Sequence, residues 1–424
     1  MRFHVHYGWV ITAASFVIGI TAYGVYYAFT LFYPFLVDDF GWSRTAISGA
    51  LSLGMLAYGT LALPIGWCVD RLGPRITIAM GGLLFGLGTF LGSRVTELWH
   101  IYALYGGLTA MGMGTAWAPL VSTISRWFVR RRGLAIGIGS IGGGTGTFLM
   151  APLVSYLLVH YGWRQTYAIM GILSAALIIG AAMLMWRDPQ SKNRGLPYGA
   201  EHDERQVPVP AALPAMGMSL NQAMRTRVFW IYLLMFGIWW FGGAIVYVQL
   251  APFILEKGFD FGLASWAVIG FGAGNGVGKV LMGLLTDRLG GRLTYRIATL
   301  LAAVSMAALA LGQAPEHLVV FSLVFGIGFG GGTPQLTTIA VDLFGLRSIG
   351  TLMGTVMVFM GLMGSGGPVF SGLIFDLTGS YVPAFLFGAA LFGISISLSF
   401  TLRPPGMPSP SSVPQPLMGD AAGG

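Results

Sequence analysis

The chain has 424 residues, of which 55% are hydrophobic and only 9% charged, whereas an ordinary soluble domain carries about 25% charged residues. So few charges cannot clothe a water-facing surface, which excludes a soluble enzyme or scaffold and turns most of the surface toward lipid. The net charge of +8 would suit a nucleic-acid binder, but the placement of the charges points elsewhere.

In chain order, the N-terminal MRFHVH is followed by an apolar run over 9–33. It is longer than a signal-peptide core and no small-residue cleavage pattern follows it, so it reads as a first membrane span. Apolar stretches of spanning length follow at 45–67, 76–93, 101–124, 133–158 and 163–186. One long polar segment comes next, with Lys192, Arg194, Glu201, Asp203, Glu204, Pro208, Pro210 and Pro214, a composition expected of a flexible linker. A second set of apolar stretches lies at 228–253, 264–285, 293–312, 318–341, 348–375 and 381–402. The Pro-rich tail after Arg403 is expected to be disordered. The predicted organisation is an N-terminal six-helix bundle (1–186), a cytoplasmic linker (187–227), a C-terminal six-helix bundle (228–403) and a tail (404–424). The expected fold is an all-α membrane protein of twelve transmembrane helices. Most of the 65 glycines sit inside the apolar runs, where small residues let helices approach closely. The single Cys68 excludes an internal disulfide framework.

Twelve spans place both termini on one side. Of the 23 Lys and Arg, only Arg44, Arg94, Arg164 and Lys257 fall in segments on the other side, and Lys279 falls within a span. The remaining 18, among them Arg130, Arg131, Arg132, Arg288, Arg292 and Arg296, lie on the side of the termini. By the positive-inside rule the termini are cytoplasmic and the compartment is the cell (inner) membrane. Basicity thus reports topology and not a nucleic-acid partner.

The two halves repeat. Residues 66–75 read GWCVDRLGPR and residues 283–292 read GLLTDRLGGR, so Gly66, Asp70, Arg71, Gly73 and Arg75 recur as Gly283, Asp287, Arg288, Gly290 and Arg292, 217 residues on. Pro119 with Pro334, Pro152 with Pro368, and Gly162 with Gly379 keep nearly the same offset. Six-helix halves related by an axis along the membrane normal are a transporter architecture. The doubled G-x-x-x-D-R-x-G-x-R element resembles the signature of the major facilitator superfamily. Asp70, Arg71, Arg75, Asp287, Arg288 and Arg292 are therefore expected to form a cytoplasmic latch that holds the outward-open state; the alternative is a static loop clamp.

Charged groups within a span are costly and mark function. Of the 23 basic and 15 acidic residues, only Lys279, in the eighth span, lies deep within one. It stands eight residues before Asp287, about 12 Å from the loop at 1.5 Å per residue, beyond the reach of a snorkelling Lys stem. No acid lies within a span to pair with it, so the substrate is expected to supply the anion, a carboxylate; a Lys bonded only to carbonyls is the alternative. Asn275, one turn earlier on the same face, can donate to a carboxylate or hydroxyl oxygen. Tyr23, Tyr26, Tyr27 and Thr30 in the first span, Trp117 in the fourth, Gln249 in the seventh and Thr333 in the tenth are further candidates for the site. Each can instead simply pack helices or anchor an interface.

Over nearly its full length the chain also resembles the oxalate:formate antiporter and monocarboxylate transporter branch. The resemblance rests on YGWV at 7–10, FGWSR at 40–44, RWFVRRRGLAIGI at 126–138, YGWRQTY at 161–167, NGVGK at 275–279, DLFGLRSIGTLMG at 342–354 and DLTGSY at 376–381. It implies a carboxylate-binding cation at Lys279, where members usually carry Arg; Lys keeps the charge but loses the bidentate fork. Animal relatives often have Asp where Asn275 stands, and bacterial lactate-type relatives often have His at Gln249 and Tyr at Trp117. The eleventh span lacks the second cation of oxalate carriers, so one site charge favours a monocarboxylate such as lactate, pyruvate or formate over a dicarboxylate.

The expected partners are a small organic anion, a proton if coupling is symport and the bilayer, with the chain acting as a monomer by alternating access. Anion exchange is equally compatible, since no Asp, Glu or His lies near the midplane to relay protons. The rival readings are a carrier of dicarboxylates or of neutral metabolites and drugs, and a non-transporting metabolite receptor. An enzyme is not expected: His4, His6, His100, His160, His202 and His317 form no metal spacing and pair with no nucleophile. No cofactor and no metal is implied.

Overall fold

The computed structural model describes residues 6–128, 132–187, 198, 217–345 and 349–403. These form twelve helical rods. In the N-terminal half, α1 is Tyr7–Tyr27 continued by Phe29–Phe40, α2 is Arg44–Leu72 and α3 is Pro74–Gly92. α4 is assembled from Leu98–Ile101, a π-helical Tyr102–Thr109, Ala110–Met113, a 3₁₀ turn Gly114–Ala116 and Ala118–Trp127. Arg132–Ala182 bends back at Gly162, giving α5 (132–161) and α6 (163–182). The C-terminal half comprises α7 (Arg227–Glu256), α8 (Phe261–Leu289), α9 (Gly291–Leu311), α10 (Pro315–Phe344), α11 (Ile349–Thr378) and α12 (Val382–Thr401). Among the described residues nine segments meet a strict length-and-hydropathy criterion for crossing a membrane. That criterion omits α2 and the broken α4 and takes α5 with α6 as one segment, which reconciles it with twelve rods.

Local sequence sets the helix ends. Ser43, Thr226 and Asp260 accept from the first-turn N–H groups of α2, α7 and α8, as N-cap residues do. Three turns use glycines at positive φ in matched pairs: Gly41 with Gly258, Gly73 with Gly290, and Gly162 with Gly379. Each pair is separated by 217 residues, so the offset found in the sequence is also the offset of the backbone turns. It extends to hydrogen bonds. Asp39 at the end of α1 accepts from Trp163 Nε1 at 2.7 Å, and Glu256 at the end of α7 accepts from the Tyr381 N–H at 2.9 Å. Asp39 and Glu256 again stand 217 apart; each ties the first helix of its bundle to the last. The repeat fails in one place. The fourth span, expected to be continuous, breaks at Trp117 (φ −127°, ψ −75°), whereas its counterpart α10 runs unbroken through Pro334.

Glycine contacts allow the tight packing inside each bundle. A Cβ on Gly142 of α5 would lie 3.1 Å from the Ile20 nitrogen of α1, and one on Gly330 of α10 would lie 2.7 Å from the Asn275 Cα of α8. Side chains at these points would force the helices apart.

The bundles meet along α2 with α11 and along α5 with α8, two seams that the repeat exchanges. A Cβ on Gly361 of α11 would stand 3.0 Å from the Gly59 Cα of α2. Interbundle hydrogen bonds among the described residues cluster in the half of the molecule remote from the termini. Thr30 Oγ1 of α1 donates to the Val248 carbonyl of α7 at 3.0 Å, and Ser155 Oγ of α5 lies 2.8 Å from Ser265 Oγ of α8. The molecule is therefore closed on the face opposite the termini. On the termini side, the Ala118–Trp127 piece of α4 packs mainly on α5 and α1, and α10 packs mainly on α8 and α9, each within its own bundle.

The described parts of the segment between the bundles are anchored. The Tyr198 N–H donates to the Trp127 carbonyl at 2.9 Å, and the Met218 N–H donates to the Phe344 carbonyl at 2.8 Å. Bridges pair Tyr198 with Phe128 and Gly217 with Gly345; Phe128 and Gly345 are again 217 residues apart. A short helix, Leu220–Met224, follows, closed by a Ser219–Gln222 capping box. The rest of the expected linker and the expected tail, 404–424, lie outside the described residues.

Candidate functional site

Lys279 lies ten residues before the end of α8, about 15 Å from that end at 1.5 Å per residue. It is half-buried. Its neighbours on the helix fix its direction: Gly272 and Gly276 abut Thr147, Phe148 and Thr145 of α5, and Asn275 and Lys279 fall on the same α8 face at helical spacing. The Lys279 stem thus leaves α8 toward the seam between the bundles. Among the described residues its ammonium has no hydrogen-bond or ion-pair partner.

Asn275 is buried, and its Nδ2 donates to Tyr247 Oη of α7 at 3.4 Å. The Tyr247 ring packs on Tyr27 of α1 with centroids 4.2 Å apart, which carries the contact across to the other bundle. Tyr27 neighbours Tyr23 at 6.0 Å, and Tyr23 Oη lies 3.1 Å from Tyr58 Oη of α2. Trp240 of α7 adds a further wall, 6.2 Å from Tyr247. The depths of these groups follow from the helix directions, since α1 runs away from the termini face and α8 toward it. Tyr27, Tyr247 and Asn275 share one level. Tyr23 and Lys279 both lie one turn, about 6 Å, nearer the termini. A cation on one bundle and a pair of phenols on the other therefore stand at the same depth, below an aromatic stack.

Other expected residues are placed differently. Tyr26 turns into its own bundle, stacked on Tyr105 at 4.9 Å, with the Tyr105 hydroxyl donating to its carbonyl and its own hydroxyl buried without a partner. The four candidates of the first span fall within one 100° arc of the helix, but Tyr26 stands at the edge of that arc farthest from Tyr27, and there it packs on Tyr105 while Tyr27 packs on Tyr247. Gln249 lies wholly within the closed seam, where Nε2 donates to Ser48 Oγ at 2.9 Å and to Ser371 Oγ at 3.2 Å. Trp117, at the break in α4, lines a small cleft with Tyr23, Gly19 and Gly143. Thr333 is half-buried on α10.

Three of the arginines of the doubled motif engage their own bundles. The Arg71 guanidinium lies over Trp67 at 4.3 Å. Arg75 donates to Met183 Sδ at 3.1 Å, Arg292 donates to the Leu402 carbonyl at 3.0 Å, and Arg288 is exposed. The side chains of Asp70 and Asp287 lie outside the described residues.

Tyr58, Tyr247 and Trp240 are absent from the sequence-derived candidates. Trp240 and Tyr247 carry a usable signal, since seven residues apart they share a face of the seventh span. Tyr58 carries none beyond being a polar aromatic among small residues.

Comparison with known proteins agrees with this architecture. The family model of the Major Facilitator Superfamily matches residues 15–265 and 242–420. Monocarboxylate transporter 11 of Homo sapiens is 30% identical over 95% of this chain and 84% of its own length. Monocarboxylate transporter 13 of Bos taurus is 28% identical over 98% and 94%, respectively. Among solved structures, an inward-facing, unoccupied bacterial homolog of the human lysosomal transporter Spinster superposes with a TM-score of 0.69 at 17% identity, covering 93% of this chain and 96% of that one. At that identity the superposition speaks for the fold.

Proposed function

The chain belongs to the Major Facilitator Superfamily, a family of transporters and not enzymes, and on that premise we propose that it carries small monocarboxylates by alternating access. The observation that carries this reading is Lys279: a cation deep in a span, turned toward the seam, with no acid beside it among the described residues. Such a group is costly to desolvate alone, and a bound carboxylate offsets that cost. Asn275 stands one turn away to orient the anion, and the Tyr23–Tyr58 pair faces it from the other bundle. Residues 348–375 contain no Lys or Arg, so one substrate charge matches one site charge. The names of the relatives at 28–30% identity support the same class of substrate.

In the proposed cycle both termini are cytoplasmic and the chain works as a monomer. The closed seam described above corresponds to the state open to the cytoplasm; the Asp70–Arg75 and Asp287–Arg292 latches belong to the opposite state. An anion neutralising Lys279 lowers the cost of closing low-dielectric walls around it, and the bundles then rock to open the other face. Coupling is proton symport or anion exchange. Uptake into substrate-free proteoliposomes under an inward proton gradient separates them, because a symporter accumulates substrate there and an obligatory exchanger does not without a counter-anion inside.

The deciding experiment is uptake of radiolabelled lactate, pyruvate, formate and oxalate by proteoliposomes of wild type, Lys279→Ala and Lys279→Arg. Loss of a charged hydrogen-bonding partner predicts at least about tenfold slower monocarboxylate uptake for Lys279→Ala, with partial retention in Lys279→Arg. Undiminished uptake by Lys279→Ala removes the site assignment. Binding without accumulation by the wild type removes the transport of these anions.

A further inference from the structure

The face opposite the termini is sealed unevenly. The α5–α8 seam has a neutral contact, Ser155 Oγ with Ser265 Oγ at 2.8 Å. The α2–α11 seam ends on a charge. Asp376, in the last turn of α11, reaches across to the first turn of α2 in the other bundle. Its carboxylate accepts from the Arg44 N–H at 3.1 Å, from the Thr45 N–H at 3.0 Å and from Thr45 Oγ1 at 2.6 Å. These two N–H groups are among the four that the start of a helix leaves without an intrahelical acceptor, and a carboxylate there is favoured by charge-assisted bonding and by the helix dipole.

The equivalent helix of the other half shows what is unusual here. α8 is capped by its own Asp260, which accepts from the Leu263 N–H at 2.9 Å. The matching residue of α2, 217 positions earlier, is Ser43, which accepts only from the Ala46 N–H at 3.1 Å. The N-terminal half has a neutral cap where its repeat has an acid, and the acid comes from the opposite bundle. Beside it, the Arg44 guanidinium lies over the Phe375 ring at 4.5 Å, a second charged contact across the same seam. One turn further along α2, an opposing influence sits at Gln249. Its Nε2 is bonded to Ser48 and Ser371, but its Oε1 is buried with no hydrogen-bond partner. An unsatisfied buried acceptor disfavours the closed seam, and water entering an opened seam would satisfy it.

We infer that Asp376 is the latch of the face opposite the termini: a carboxylate of one bundle seated in the helix start of the other, which leaves the first turn of α2 before the carrier opens to that side. The carboxylate stands at the exposed edge of the seam, where water can take over its bonds as it withdraws. It differs in chemistry from the Asp–Arg motif of the termini face, because two of its three partners are backbone donors that no substitution at Arg44 or Thr45 other than proline can remove.

The test needs no substrate, so its outcome is independent of which anion is carried. In a Cys68→Ser background, Ser371→Cys places a thiol at a fully buried position of the seam. Proteoliposomes are oriented with the termini inside and exposed to a membrane-impermeant maleimide, and the labelling rate is measured for Asp376, Asp376→Asn and Asp376→Ala. Asp376→Ala is expected to label about tenfold faster, and Asp376→Asn, which keeps one acceptor oxygen, at an intermediate rate. Thr45→Val removes only the hydroxyl donor and should give a smaller rise. If Asp376→Ala fails to fold, Asp376→Asn and Thr45→Val carry the test. Equal labelling rates in variants that elute and melt as the parent protein does overturn the inference.

Discussion

Lys279 stands out in the sequence because the cost of an ammonium ion within a bilayer span does not depend on which residues surround it. Its surroundings are less legible. Tyr26 and Tyr27 are adjacent and chemically alike, yet one is stacked inside its own bundle on Tyr105 and the other crosses to Tyr247. The 100° between consecutive helical positions decides which, and only the tertiary phase of α1 sets that angle. Tyr247 escapes a sequence reading because an aromatic in a span usually packs helices or anchors an interface. Its role is open to a direct test. Tyr247→Phe keeps the stack on Tyr27 but removes the acceptor of Asn275. A neutral hydrogen bond is worth about 1 kcal/mol, so KM for the carried anion should rise about fivefold with little change in the maximal rate. An unchanged KM would mean that Asn275 does not need Tyr247 to meet the substrate.

The turns show how far an internal repeat can be carried at the level of elements. The offset of 217 predicts corresponding loops, and the structure returns the same left-handed glycines at each. Their tolerance differs, which the one-letter code hides. Gly73 and Gly290 sit at φ 80°, ψ 162° and φ 78°, ψ 158°, a region essentially reserved for glycine. Gly41 sits at φ 64°, ψ 18°, where Asn is also accepted. Gly73→Ala and Gly290→Ala should each cost about 1–3 kcal/mol, seen as a lower melting temperature in detergent, while Gly41→Asn should melt close to wild type. Comparable losses at all three positions would show that contacts, and not backbone strain, dominate these turns. The break in α4 was not legible. Pro119 and Pro334 look equivalent in the sequence, but the π-helical and 3₁₀ stretches that lead to Trp117 depend on how α4 packs against α2 and α3.

At the scale of the whole molecule, the two-bundle architecture follows from composition and repeat, while the state of the seam does not, because one sequence must accommodate both states of an alternating carrier. The closed face offers a check. In the Cys68→Ser background, Ser155→Cys with Ser265→Cys replaces a 2.8 Å contact between hydroxyls by thiols placed to form a disulfide. Oxidation should abolish uptake and reduction should restore it; full transport by the cross-linked protein would mean that this seam never opens. The two anchored points between the bundles carry a further consequence. Tyr198 is held by Trp127, and Met218 by Phe344, so each end of the connection is fastened to the half from which it emerges. Covalent continuity between 198 and 217 is then dispensable for assembly. Fragments 1–198 and 217–424, made as separate polypeptides in one cell, should recover each other in the membrane as a split carrier that co-purifies through a tag on either piece and takes up the same anions.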